Sequence, residues 1–314
     1  MRTLTVIFLA LLSFTILSPK LQAQSDAQTK AHQILMQARA AIASEAQSKA
    51  LQSLSVAYTT SRTIGTAHFE SDIEYDILLP DKFRRRESRQ PFTTVTVMQD
   101  ESAFTYSVPN PASGGDVMRE NSPDPQAQAR RRADFTRMLL SLLLSTPSEV
   151  PVEYSYAGEY KEPDGVADII DVKGNDGFAA RLYIEQKTHR LVMLSYKGKQ
   201  LSHAVRTVAR LNGNTSPTRP NADEKKLSAE QQAQRQVERW AEQEKRRKQF
   251  EEALAAAPEV EYRWVLSDFK TVKGFNLPHH LVKSEAGYQY EEWEINNFKI
   301  NPKFVPTTFS LKEK

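Results

Sequence analysis

The groups in this sequence with chemistry to offer are six histidines, a row of acidic residues and a run of three arginines. The histidines, His32, His68, His189, His203, His279 and His280, form no His-Glu-x-x-His pair. With no cysteine in the chain, thiolate metal sites and cysteine nucleophiles are excluded. His279 and His280 are neighbours on an expected strand, so their rings point to opposite faces and cannot chelate one ion together. No Gly-x-Ser-x-Gly, phosphate-binding loop or Gly-x-Gly-x-x-Gly is present. Glu70, Asp72, Glu74 and Asp76 line one face. Acid–base hydrolysis, however, needs carboxylates in an apolar cleft that shifts their pKa values. Their spacing puts these four in water, where they also guard the sheet against edge aggregation. Arg84, Arg85 and Arg86 alternate along a strand, so two of them share a face. They suit a rim contact to an anionic headgroup or a plain surface role. Enzyme activity is not supported, and no metal or cofactor is implied.

The element that positions most of these groups is Thr66–Arg86, TAHFESDIEYDILLPDKFRRR. Phe69, Ser71, Ile73, Tyr75, Ile77 and Leu79 fall on one side at period two, and the acidic row falls on the other, which is a long strand. Burying the five large apolar groups contributes roughly 1.5–3 kcal/mol each. A one-residue slip would bury the carboxylates instead. The dry face therefore needs a cover: a second layer, a helix or a ligand.

The chain opens MRTLTVIFLALLSFTILSPKLQAQ. A leading Arg2, an apolar run from Thr3 to Leu17, a break at Ser18-Pro19 and small-residue Ala23 read as a secretory signal over 1–23, with a retained N-terminal anchor as the alternative. The expected product starts near Gln24 and is exported. The absence of cysteine excludes a lipidated N-terminal cysteine. The chain carries 42 Lys+Arg and 39 Asp+Glu. Removing Arg2 and Lys20 leaves 40 against 39, a near-neutral protein with no electrostatic case for nucleic acid.

Ser25 to Ser44 reads as a helix with an apolar stripe at Ala31, Leu35, Ala38 and Ile42. Strands then run to a Gly/Pro/Asn-rich loop at 110–125. Arg130 to Pro147 interrupts them as a helix apolar over most of its circumference, with Phe135, Met138, Leu139, Leu142, Leu143 and Leu144, and too short to span a bilayer. Such a helix belongs in a concave apolar surface. Four more strands follow. From about residue 200 the texture becomes turn-rich, then strongly charged over Lys225–Ala257, a solvated or partly disordered helical insertion, or a docking helix centred on Trp240. Three strands close the chain, about twelve in all.

These pieces, in this order, resemble the periplasmic lipoprotein-carrier superfamily, the LolA/LolB-like fold that includes RseB-type domains. LLPDKFRRRES is similar to that family's x-Pro-x-x-Phe-Arg segment, and MQDESAFTYSVPNP to its Trp-x-Tyr-x-Pro hairpin. LSDFKTVKGFNLPHHLVKSE and EWEINNFKINPKFVPTTFSL are similar to the ending of lipoprotein-sorting members. The carrier proper has an arginine before the segment's proline, which holds its lid shut, where this chain has Leu79. The charged insertion is foreign to it.

The resemblance implies an α+β domain: an unclosed antiparallel half-barrel of about eleven or twelve strands with helices on its concave face. That domain would span 24–314, interrupted at 200–258. It implies a periplasmic, non-enzymatic protein holding the acyl chains of a lipid or lipoprotein, with transient contact to a membrane surface during outer-membrane lipid or lipoprotein transport. The expected ligand-facing residues are Phe69, Ile73, Tyr75 and Ile77 on the strand and Phe135, Met138, Leu139 and Leu142 on the inner helix. The alternative is an envelope sensor or interaction module of the same fold, in which the 225–257 helix docks a protein partner.

Overall fold

The computed structural model describes residues 19–310 except 65–66, 90–91, 100–101, 110–117, 121–124, 163–164, 175–176 and 213–227. The apolar run of the expected signal lies outside the described residues.

One antiparallel sheet organises the molecule. Its strands are β1 (Ser53–Ile64), β2 (Ala67–Leu78), β3 (Lys82–Arg89), β4 (Phe92–Gln99), β5 (Ser102–Pro109) and β6 (Met118–Glu120) in the first half. The second half supplies β7 (Val152–Glu162), β8 (Gly165–Gly174), β9 (Ala179–Glu185), β10 (Leu191–Lys199), β11 (Glu259–Val272), β12 (Phe275–Glu285) and β13 (Tyr288–Ile300). Their order across the sheet is β6-β5-β4-β3-β2-β1-β13-β12-β11-β10-β9-β8-β7. The first strand thus meets the last at the centre, and β6 and β7, consecutive in sequence, are the two free edges. The sheet does not close. Among the described residues it has thirteen strands, the expected twelve or so plus the short β6, which lies within the expected loop at 110–125.

The helices are α1 (Pro19–Ile42), α2 (Glu45–Ala50), α3 (Pro125–Leu143), α4 (Leu201–Asn212) and α5 (Ala229–Ala256). Topology places α3, since it carries the chain from one edge of the open sheet to the other. Its Phe135, Met138, Leu139 and Leu142 recur at helical spacing, and all are at most 2% exposed. α1 buries Ala31, Ile34, Leu35 and Ala38 by the same rule, and both helices join the sheet's inner residues in one core. Arg39 of α1 ties the two helices together, donating from Nε and Nη2 to the carbonyl of Leu144 (3.1 and 2.9 Å).

β2 alternates as expected, with Ile73 and Ile77 buried on the inner face. Its outer face departs from the reading of a wetted acidic row. Asp76 is 3% exposed and accepts from Arg84, with Nε at 3.0 Å, and Glu74 accepts from Arg86 at 3.1 Å. The C-terminal segment covers this face: Phe304 and Phe309 pack with Leu78, Val95, Val97, Tyr106 and Val108 in a second, outer cluster.

The described residues of the segment beyond residue 200 form a pair of packed helices. Ala204 and Val208 of α4 meet Phe250, Ala253 and Leu254 of α5. The pair is an excursion between adjacent strands, since β10 pairs directly with β11. It is pinned at its root: Leu201 donates its backbone N–H to the Tyr262 hydroxyl (3.0 Å), and Ser202 donates its own to Glu285 (3.2 Å). The side chain of Trp240 lies outside the described residues.

Candidate ligand cavity

Between the inner face of the sheet, α3 and the last turns of α5 lies a cavity of about 850 Å³. Its roof is Phe135, Met138 and Ala133 of α3, and Leu254 and Ala255 of α5 form one wall. Of the residues expected to face a ligand, Tyr75, Phe135 and Met138 line it. Ile73, Ile77, Leu139 and Leu142 belong to the packed core. Phe69 is half-buried, with the Arg89 guanidinium 4.1 Å from its ring centre. Leu79 packs against the core, while the next turn holds the chain after α3 differently: Asp81 accepts from the Ser148 backbone N–H at 2.8 Å.

The floor is a belt of aromatic rings. Tyr58 stacks on Trp293 at 4.2 Å and on Tyr75 at 6.3 Å. Trp264 lies 6.1 Å from Trp293, and Tyr196 stacks on Tyr262 at 5.0 Å, with Tyr290 edge-on to Tyr262. Strand alternation explains the belt, because each ring occupies an inward position on its own strand and register aligns those positions across the sheet.

Register also builds a charged row that the sequence reading missed. Arg62 on β1 is the partner of Glu291 on β13, Glu291 of Lys283 on β12, and Lys283 of Trp264 on β11. Arg62 Nε lies 3.2 Å from Glu291, whose carboxylate also accepts from the Trp293 indole. Lys283 Nζ stands 3.6 Å from Glu291, beyond hydrogen-bond length, and sits over the faces of Trp293 (3.9 Å) and Trp264 (4.3 Å). Arg85, the middle member of the arginine run, turns inward where its neighbours turn out. It pairs with Glu87 at 2.7 Å, and Glu87 pairs in turn with Arg62 at 3.2 Å. The result is an aromatic cavity with a charged floor, not the wholly apolar void that the helix and strand patterns suggest.

Burial, opposed by Glu291, brings the Lys283 ammonium down to about 8 from an ordinary 10.5. The unfolded chain keeps that proton to about 10.5 and the folded one releases it near 8, so the folded state binds fewer protons in between. Stability is therefore expected to rise with pH from about 8, by on the order of 2–3 kcal/mol at most. The rise ends near 10, where Tyr75, pushed up to about 12 by burial, and its neighbours begin to favour the unfolded chain. Urea titrations at a series of pH values check this, and Lys283→Met should flatten the rise.

Among the described residues no group of three or more His, Asp or Glu could hold a metal ion, and no helix is long and apolar enough to cross a membrane. No protein-family model and no curated protein sequence matches the chain. Solved structures do. A Vibrio parahaemolyticus domain described as an outer membrane lipoprotein-sorting protein is similar at 7% identity and TM-score 0.49, covering 90% of this chain and 97% of that one. A DUF1329 family protein from Desulfovibrio piger is similar at 8% identity and TM-score 0.49, with coverage of 92% and 98%. A LolA superfamily protein from Nitrosomonas europaea is similar at 9% identity and TM-score 0.47, with coverage of 89% and 97%.

Proposed function

We propose that this is an exported, periplasmic binding protein, one domain from Gln24 onward, that holds the acyl chains of a lipid or lipoprotein without covalent chemistry. The cavity carries the reading: about 850 Å³, within the roughly 300–1,000 Å³ range of small-molecule sites, roofed by an apolar helix and floored by stacked rings. Ring faces and the Phe135 and Met138 side chains offer an alkyl chain dispersion contacts without hydrogen bonds to satisfy. The sequence resemblance to lipoprotein carriers supports the same substrate class and an envelope transport role. The α4–α5 pair is part of the binding unit in this reading, because Leu254 helps close the cavity.

Purified protein is expected to bind a fluorescent polyene fatty acid, or to yield lipid on organic extraction. Half-buried Ala133 borders the cavity, so Ala133→Trp should fill it and weaken probe binding by about ten-fold or more, with the unfolding midpoint little changed. Extraction that yields no lipid, together with no probe uptake by the unmodified chain, would sink the proposal.

A further inference from the structure

The whole chain carries a net charge of only +3, and the cavity concentrates more than that. Its lining residues include eight Lys or Arg against four Asp or Glu, a net of +4. The imbalance persists on the floor, where among the described residues Arg62, Arg85 and Lys283 share two carboxylates, Glu87 and Glu291. Each carboxylate already serves two cations. Glu291 is engaged by Arg62 and the Trp293 indole, which leaves Lys283 at 3.6 Å, held mainly by ring faces. A buried cation short of a counter-charge is costly, and a bound anion would relieve it.

A second, independent observation points to the same place. The Tyr58 hydroxyl, on a side chain 2% exposed, has no hydrogen-bond partner among the described residues. It belongs to a residue that lines the cavity and stacks on Trp293, the ring that also carries the Lys283 ammonium. Buried hydroxyls are ordinarily satisfied. Here a donor and a surplus cation flank one indole on the cavity floor.

Resting on the acyl-binding reading above, we propose that the ligand is an acidic amphiphile bound head-inward. Its carboxylate or phosphate completes the Arg62–Glu291–Lys283 row and accepts from Tyr58, and its hydrocarbon chain lies beneath α3. Neutral acyl esters fit the same walls and leave Lys283 with only its share of Glu291 at 3.6 Å.

The test compares cis-parinaric acid with its methyl ester on the full exported chain at neutral pH. The acid should bind about ten-fold or more tightly than the ester. Lys283→Met should erase that preference, with a cooperative urea-unfolding transition showing that the variant is folded. Tyr58→Phe, which removes one oxygen, should reduce the preference by a few-fold. Displacement of the bound acid by oleate or lysophosphatidic acid supports the proposal and tells the two heads apart. Equal displacement by neutral monoolein overturns it, as does an ester that binds as tightly as the acid, and in either case the acyl-binding reading stands. If neither probe binds, that reading falls and the present one with it.

Discussion

Replacing Glu291 with Gln is expected to lower the stability of the fold by about 3–5 kcal/mol at neutral pH, the cost of removing one partner from a buried ion pair. Glu291 is 5% exposed and sits where β1, β12 and β13 meet. Burial alone would raise its pKa. Lys283, then Arg62, and hydrogen bonds from Trp293 and Arg62 outweigh burial and hold it down to about 2. Since the folded value lies below the unfolded 4.5, this contribution is complete above about 4.5 and is lost as pH falls toward 2. The variant should therefore be less stable at neutral pH and should lack that segment of the acid-unfolding curve. It should suffer more than the linkage loss alone, because Arg62 and Lys283 remain buried without their carboxylate. Adding Lys283→Met should recover part of the loss, since it removes one of the stranded charges. Urea unfolding at neutral and acid pH measures all three effects. A loss under about 1 kcal/mol would mean that the row behaves as an exposed pair does. With total stabilities of roughly 5–15 kcal/mol for a domain, the expected loss is large.

Why this row escaped the sequence reading is a matter of register. β2 was legible because all its information is local: alternation over Phe69–Leu79 reports one dry face whatever lies beside it. α3 was legible for the same reason, through the recurrence of Phe135, Met138, Leu139 and Leu142. Its observed start lies a few residues before the expected one, since Pro125 opens a helix well and the basic residues that follow do not break it. Arg62 and Glu291, by contrast, are 229 residues apart in sequence. They meet only because the first strand pairs with the last, which no local pattern states. Asp76 was misread similarly. Its side of β2 looks wet until the C-terminal Phe304 and Phe309 fold back over Leu78. Arg85 shows the converse limit, for alternation gave two arginines one face without saying which face held the cavity. Its inward turn follows from its pairing with Tyr75.

The same distinction between core and cavity separates two neighbours on α3. Leu139→Ala is expected to cost about 3–4 kcal/mol and leave probe affinity within about two-fold, whereas Met138→Ala costs about 2 kcal/mol and changes probe binding. Both side chains are buried, Leu139 at 0% and Met138 at 2% exposure, so burial alone predicts equal effects. They differ in what surrounds them. Leu139 belongs to the packed core and is absent from the cavity wall, so truncation leaves a new void that its neighbours cannot fill. Met138 lies within the same core but borders the existing space. Its truncation enlarges a void already present, and fewer contacts are forfeited. At probe concentrations where both variants stay folded, stability and affinity are separate readouts, because ligand linkage depends only on the folded protein's own affinity. Equal stability losses would show that Met138 packs as Leu139 does, and an affinity change confined to Leu139→Ala would place the ligand on the far side of the helix. The unequal pattern would place an acyl chain against Met138, above the ring belt and in reach of the charged row.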